Sequence, residues 1–258
     1  MRAGIITIGN EILKGKTVNT NAAEIGRILY FSGYEIYRGL VVPDIESEIR
    51  WAFRSLVGLC NVIVSSGGLG PTFDDITVES FAHEFNIPLE LNRETYDNIM
   101  KRTLERGLEM TKEREKMALV PSGSKIIKNP VGSAPGIEFV IDNSKIFILP
   151  GIPKEMRSMM ESIGQEIKLN DSFYFEDSII VKGIYEASLA PSIKKIMDKY
   201  GGSVYIKSHP SLYDNNKSVI EIEVSAKGIN LDEAKMIVKS AINDIVEEIH
   251  NLREIFKE

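Results

Sequence analysis

The 258-residue chain is 43% apolar and carries 37 acidic against 31 basic side chains, a net charge of −6. That composition supports one large or two modest packed domains and argues against broad nucleic-acid binding. No apolar stretch reaches the roughly 20 residues of a membrane helix, and Met1-Arg2-Ala3-Gly4 leads into a strand-like run without a signal-peptide cleavage region, so the expected compartment is the cytoplasm.

Strand-like and helix-like segments alternate through the first two-thirds, which predicts an α/β domain with a mainly parallel sheet. Residues 5–8 open it as a strand, followed by Gly9-Asn10-Glu11-Ile12-Leu13. Asn21, with Glu24 three residues later, predicts a capping box for a helix carrying Ile25, Ile28 and Leu29. A second strand over 34–42 ends at Pro43-Asp44, and Asp44 is placed to cap a helix bearing Ile49, Ala52, Phe53 and Leu56. The single cysteine, Cys60, lies among apolar residues, which suits core packing and excludes an intrachain disulfide.

Asn61-Val62-Ile63-Val64 is short enough for a buried parallel strand, and it runs into Ser65-Ser66-Gly67-Gly68-Leu69-Gly70-Pro71-Thr72-Phe73-Asp74-Asp75-Ile76-Thr77. From Ile76 through Val78, Phe81, Ala82 and Phe85 the apolar spacing is helical. The glycines therefore sit between strand end and helix start, where amides lack partners and the helix dipole favours an anion. A Walker loop is excluded because Pro71-Thr72 follows Gly70 where Lys and Ser or Thr are needed, and the dinucleotide fingerprint because Phe73 stands at its third small position. A bland turn with Asp74 or Asp75 as a cap remains the alternative.

Residues 92–106 and 111–119 read as charged helices crossing outside the sheet. Asn129-Pro130-Val131-Gly132-Ser133-Ala134-Pro135-Gly136 is a loop, and residues 137–141 and 145–149 flank the hairpin turn Asp142-Asn143-Ser144. Pro150-Gly151-Ile152-Pro153 ends that strand, and a helix from Pro153 carries Met156, Met159, Met160 and Ile163 as core filler. The pattern pauses around 169–177. A smaller unit then reads strand (178–182), helix (186–200), strand (204–208), strand (219–225), helix (231–249), the last with Asn230 and Glu233 as a capping box. In it, His209 before Pro210 is expected to order a loop, and His83, His209 and His250 are too scattered for a zinc cluster.

Four segments, those at 9–21, 67–77, 129–136 and 149–156, each follow or adjoin a strand and can gather at the carboxyl edge of a parallel sheet. Together they resemble the CinA family, whose amino-terminal domain has the three-layer molybdopterin-binding fold. The resemblance implies such a domain over 1–168 and a small KH-like α+β domain over 171–258, and the chain stops at Glu258 before the nicotinamide mononucleotide deamidase domain of long members. Matched by position, Asp75 and Asp44 are the candidate catalytic carboxylates. Gly67, Gly68, Gly70, Thr72, Thr77, Glu11, Asn21, Ser133, Pro150, Gly151, Lys154 and Glu155 are the expected phosphate or nucleotide residues. Asp74 stands where molybdopterin adenylyltransferases have an arginine, so the loop loses a phosphate-pairing cation and gains a possible metal ligand. Among bland alternatives, Glu11 pairs with Lys14 or Lys16, and Lys154 with Arg157 forms a solvated face.

The resemblance and the carboxylates imply a metal-dependent nucleotide pyrophosphatase using magnesium or a similar ion, with ADP-ribose as an example substrate. The alternatives are molybdopterin binding or adenylyl transfer, and a non-catalytic nucleotide sensor. The partners implied are a nucleotide or pterin phosphate and a second copy in a homodimer. No Gly-x-x-Gly motif for nucleic-acid backbone occurs over 171–258.

Overall fold

The chain begins with β1 (Arg2–Ile8), buried from Ala3 onward, a single turn α1 (Asn10–Leu13), and α2 (Thr20–Phe31). β2 (Glu35–Val42) returns parallel to β1 on one side, α3 (Glu46–Arg54) buries Ile49, Ala52 and Phe53, and β3 (Val62–Ser66) enters parallel on the other side of β1. After α4 (Thr77–Glu84) come β4 (Leu89–Leu91), α5 (Arg93–Glu105), α6 (Lys112–Lys116) and β5 (Leu119–Pro121), with β4 and β5 forming a separate antiparallel ribbon. β6 (Lys125–Ile127), β7 (Gly136–Ile141), β8 (Ser144–Leu149) and α7 (Pro153–Glu166) complete this part. The computed structural model describes residues 1–169, 173–214 and 217–255, which divide into one unit of Met1–Tyr30 with Tyr34–Ile167 and another of Phe31–Gly33 with Lys168–Glu258.

The first unit's sheet has the order β2-β1-β3-β8-β7-β6, parallel through β8 and antiparallel over the last two pairs. β3 is buried along its whole length and β8 nearly so, as strands covered on both faces are. The β7–β8 reversal needs two residues at positive φ, and Asp142 (φ 47°) and Asn143 (φ 63°) supply them, short polar residues that tolerate that region. Phe81 anchors the core, edge-on to Phe53 at 5.0 Å and to Phe139 at 5.6 Å. Met156, Met159, Met160 and Ile163 are buried filler as expected.

Because β1 is followed by β2 on one side and β3 on the other, the sheet's switch point lies beside β1. Loops leaving β1 and β3 there diverge and open a crevice at the carboxyl edge. β8 is parallel to them and β6 runs the same way, so the loops after β6 and β8 reach the same edge.

Several local expectations are corrected. Asn19, not Asn21, caps α2, accepting the Ala22 N–H at 3.1 Å. The first non-helical residue before α3 is Ile45, with no side-chain cap, so Asp44 does not cap that helix. The helix expected over 111–119 stops at Lys116, because Leu119–Pro121 pairs with Leu89–Leu91 instead. Three-residue strands such as β4, β5 and β6 are too short to print a period, which is why they were not foreseen.

The second unit has the expected βαββα order: β9 (Phe173–Lys182), α8 (Glu186–Lys199), β10 (Val204–Asp214), β11 (Lys217–Gly228) and α9 (Leu231–Ile255). Its sheet is wholly antiparallel, β10-β11-β9, with Ile220, Ile222 and Val224 of the central strand buried in one core with Val238, Ala241 and Ile245 of α9. Asn230 Oδ1 accepts from Glu233 N–H at 2.8 Å, and Glu233 returns to the Ile229 N–H at 2.6 Å. His209 lies within β10 rather than in a loop. Pro210 is tolerated beside it because β10 is an edge strand, where a missing N–H costs least. β9 begins at Phe173, inside the expected pause, while residues 170–172 of that pause lie outside the described residues.

Candidate active site

The glycine loop is held in a shape that only glycine permits. Gly67 has φ 116°, and a Cβ there would sit 2.1 Å from the carbonyl oxygen of Ile8; Gly68 has φ 70°, and its Cβ would sit 2.1 Å from Thr77 Oγ1. The Gly67 N–H is spent on Leu149 O at 3.0 Å. The Thr77 hydroxyl donates to Gly67 O at 2.9 Å and its N–H to Gly68 O at 3.2 Å, tying the loop to the first turn of α4. Thr77 is thus fully buried and does not line the cleft, so the expected phosphate hydroxyl is a tether. Among the described residues the amides of Gly68, Leu69 and Gly70 have no hydrogen-bond partner.

Beyond the glycines, Asp75 Oδ2 accepts from Thr72 N–H at 2.9 Å and from Thr72 Oγ1 at 2.5 Å, and Asp74 Oδ1 lies 2.5 Å from the same hydroxyl. One hydroxyl proton therefore serves two carboxylates. Asp75 Oδ1 is left without a protein donor among the described residues. Lys116 Nζ secures the loop from outside by donating to Thr72 O at 3.2 Å and Asp75 O at 2.5 Å.

The cleft above this loop has a volume of about 820 Å³. It gathers Glu11, Asp44, Gly67, Gly68, Gly70, Thr72, Asp74, Asp75, Ser133, Pro150, Gly151 and Glu155 of the expected residues. Asn21 and Lys154, like Thr77, are outside its lining. Asn21 is buried behind it, where Nδ2 donates to Ser66 Oγ at 2.7 Å and Gly151 O at 2.8 Å, joining α2 to the ends of β3 and β8. Lys154 is exposed, as a solvated residue is. Arg157, its neighbour in the expected solvated face, pairs with Glu24 at 2.8 Å.

Asp44 accepts the Asn10 N–H at 2.8 Å, so it serves the first residue of α1 and not the helix that follows it. Burial raises its proton affinity above the ordinary carboxylate range; the Asn10 amide opposes this, and the charges of Glu11 and Asp74 add to it. Asp74 is shifted the other way, held below its usual range chiefly by the Thr72 hydroxyl. Glu11 forms no ion pair with Lys14 or Lys16 among the described residues, and its carboxylate folds over Gly9, where a Cβ would meet Oε1 at 2.6 Å.

The loop over 129–134 is also built, not merely polar. Asn129 Nδ2 donates to Glu155 Oε2 at 2.6 Å and Ala134 O at 2.8 Å, while its Oδ1 accepts from Val131 and Gly132 N–H. Arg102 of α5 donates to the carbonyls of Gly132, Asn129 and Pro130. Glu155 is consequently a buried carboxylate with an amide partner. Arg102, Asn129, Arg106, Arg114 and Met117 were not singled out by the sequence reading. Only Asn129, inside the quoted loop motif, carried a local signal.

A metal held by protein alone is not indicated, since no group of three His, Cys, Asp or Glu among the described residues could hold one. Magnesium, however, commonly takes one or two carboxylates and completes its shell with substrate phosphate. Asp44, Glu11 and Asp74 line one cleft, and the charges of Glu11 and Asp74 act on Asp44, so one or two of these carboxylates fit that mode.

Among known proteins, one from Caldivirga maquilingensis is 47% identical over 246 residues, 95% of this chain and 96% of that one. A Thermoplasma volcanium protein is 44% identical over 240 residues, 93% of each. The crystal structure of the protein CinA, of unknown function, from Thermoplasma acidophilum shares 47% identity, covers 64% of this chain and 97% of that one, and superposes with a TM-score of 0.61. A family model described as "Probable molybdopterin binding domain" matches residues 4–169, which include every loop of the cleft and all but the first two residues of the six-stranded sheet. The chain belongs to that molybdopterin-binding-domain family.

Proposed function

We propose that the chain is a metal-dependent nucleotide pyrophosphatase that hydrolyses a diphosphate such as ADP-ribose. The observation that carries this reading is the meeting, in one cleft at the switch point, of unpartnered amides at Gly68 to Gly70 with the carboxylates of Asp44, Asp74 and Asp75. The amides suit phosphoryl oxygens, and donors fixed before the reaction stabilise charge without reorganising. A magnesium-like ion, held by Asp74 with Glu11 or Asp44, would neutralise charge on the diphosphate.

In this reading water attacks one phosphorus, the P–O–P bridge breaks, and the bridging oxygen leaves with the other phosphoryl group. Asp75 orients the water and takes its proton through the oxygen that Thr72 does not engage. Asp44 is the second choice of base, and its raised proton affinity favours that role. Ser133, Pro150 and Gly151 shape the walls, and Glu155 fixes the 129–134 loop.

Molybdopterin binding is a second reading, favoured by the family model's description, with adenylyl transfer as its catalytic form. It uses the same loop on another acceptor. For the second unit we propose a KH-like role in orientation, supported by its βαββα order. Screening the purified protein against ADP-ribose, FAD, NAD and ATP with magnesium, manganese or cobalt tests the reading. Release of nucleoside monophosphate supports it; tight binding without turnover under every metal overturns it in favour of a sensor.

A further inference from the structure

Among the described residues the cleft lining holds five carboxylates, those of Glu11, Asp44, Asp74, Asp75 and Glu155, and two cations, Arg106 and Arg114. Arg106 is solvent-exposed and Arg114 half-buried, so burial does not oblige either to take a counter-ion, but both line the cavity that the carboxylates line. Here no ion pair joins either arginine to any of the five carboxylates among the described residues. Arg106 has no side-chain partner among the described residues, and Arg114 spends one nitrogen on Glu109 O at 2.6 Å. Arg106 stands at the C-terminal cap of α5, where an arginine ordinarily needs no further reason because it complements the helix dipole. That accounts for its charge but not for its place in the cleft wall, nor for Arg114, which belongs to a different helix.

We propose that Arg106 and Arg114 are the diphosphate-binding cations of this cleft, offsetting the substrate's negative charge in a cavity whose other charged lining residues are all acidic. The inference rests on the pyrophosphatase reading and deepens it. A substrate carrying two phosphoryl groups is held at two poles, one served by the loop amides and the acidic residues and the other by the guanidinium groups. Guanidinium forks match phosphate oxygens two at a time, which a lysine does not reproduce. The stretch from the end of α5 through α6 is thereby a specificity element, admitting diphosphates and rejecting neutral nucleosides.

The test is calorimetric titration of the full-length protein with ADP-ribose in its non-hydrolysable methylene-bridged form in magnesium, comparing wild type with Arg106→Gln, Arg114→Gln, Arg106→Lys and Gly68→Val, with thermal melting as a folding control. Each glutamine variant is expected to weaken ADP-ribose binding by more than about tenfold, with Arg106→Lys recovering only part. If both glutamine variants bind as the wild type does while Gly68→Val loses binding, the arginine assignment is overturned and the phosphate-loop reading stands. If the folded wild type binds no ADP-ribose, both are overturned.

Discussion

The cleft of the first unit and the surface of the second unit treat charge in opposite ways. In the second unit Asp244 takes Lys199 at 2.7 Å and Tyr200 at 2.9 Å, and Glu248 takes Lys195 at 3.0 Å and Ser192 at 3.2 Å. Each carboxylate sits between a cation and a hydroxyl. In the cleft, carboxylates and arginines line the same walls without pairing, and backbone amides are left open. The pairs of the second unit join α8 to α9, whereas the cleft's charges, Glu11 and Arg106 exposed among them, stay open to solvent and to a ligand. The backbone draws the same contrast: antiparallel neighbours in the second unit satisfy each other along their length, while loops at a parallel sheet's carboxyl edge cannot.

The contrast breaks most sharply at Asp75. Asp75→Asn keeps volume but removes charge and basicity, and turnover should fall by more than about tenfold with the fold intact. Wild-type turnover with unaltered metal dependence would remove Asp75 from the chemistry. Gly68→Val comes next, because its Cβ has to occupy space 2.1 Å from Thr77 Oγ1 at a φ of 70° that valine resists. Its nucleotide affinity should drop roughly tenfold or more, at a stability cost of about 1–3 kcal/mol. Parental affinity in equilibrium dialysis would refute the phosphate-loop assignment.

A truncation ending near Gln165 sharpens the comparison further. Every cleft residue precedes that point, so binding should persist within a few-fold, although stability should suffer because Phe31–Gly33, which the truncation keeps, lose the rest of their unit. A folded truncation that binds nothing, beside a full chain that does, would mean the second unit completes the site.

The smallest effect belongs to the paired region. Lys199 first, and the Tyr200 hydroxyl with it, hold Asp244 below its usual range, while burial, and after it Asp244, push the Tyr200 hydroxyl up to about 12. A carboxylate with a depressed folded pKa stabilises above its unfolded value of about 3.9 and loses that contribution as pH falls through the lower folded value. Asp244→Asn should therefore cost less than about 1 kcal/mol near neutrality. In urea titrations the gap between wild type and variant should close as pH drops from about 6 to about 3. A gap independent of pH would mean that the carboxylate's charge contributes nothing.

The legible parts of the site were those where backbone shape dictates residue type. Gly67 and Gly68 announced themselves because positive φ and close approach to Ile8 and Thr77 exclude side chains. Asn21 and Asp44 were misread as caps because both lie next to a helix start, and a polar residue at that place looks the same whether it bonds the local helix or a distant strand. Asn21 reaches Ser66 and Gly151, and Asp44 reaches Asn10, contacts 34 to 130 residues apart that no local pattern records. Thr77 looked like a ligand hydroxyl because nothing in the order of residues tells an inward from an outward side chain at a helix start.

From its residues alone, this chain determined the alternating α/β plan, the glycine loop, the Asp142-Asn143 reversal, the methionine-filled face of α7 and the βαββα order of the second unit. All of these depend on spacing, turn chemistry or propensity, which act over a few residues. Tertiary structure alone decided that Arg106 and Arg114, on segments that read as charged helices crossing outside the sheet, join the cleft wall, and that Thr77 turns inward while Lys154 stays out. Those outcomes follow from the order in which strands assemble beside β1 and from the way the chain between α4 and β6 closes over the sheet's edge. Such long-range placement leaves no periodic trace, because the residues it brings together are far apart in the chain.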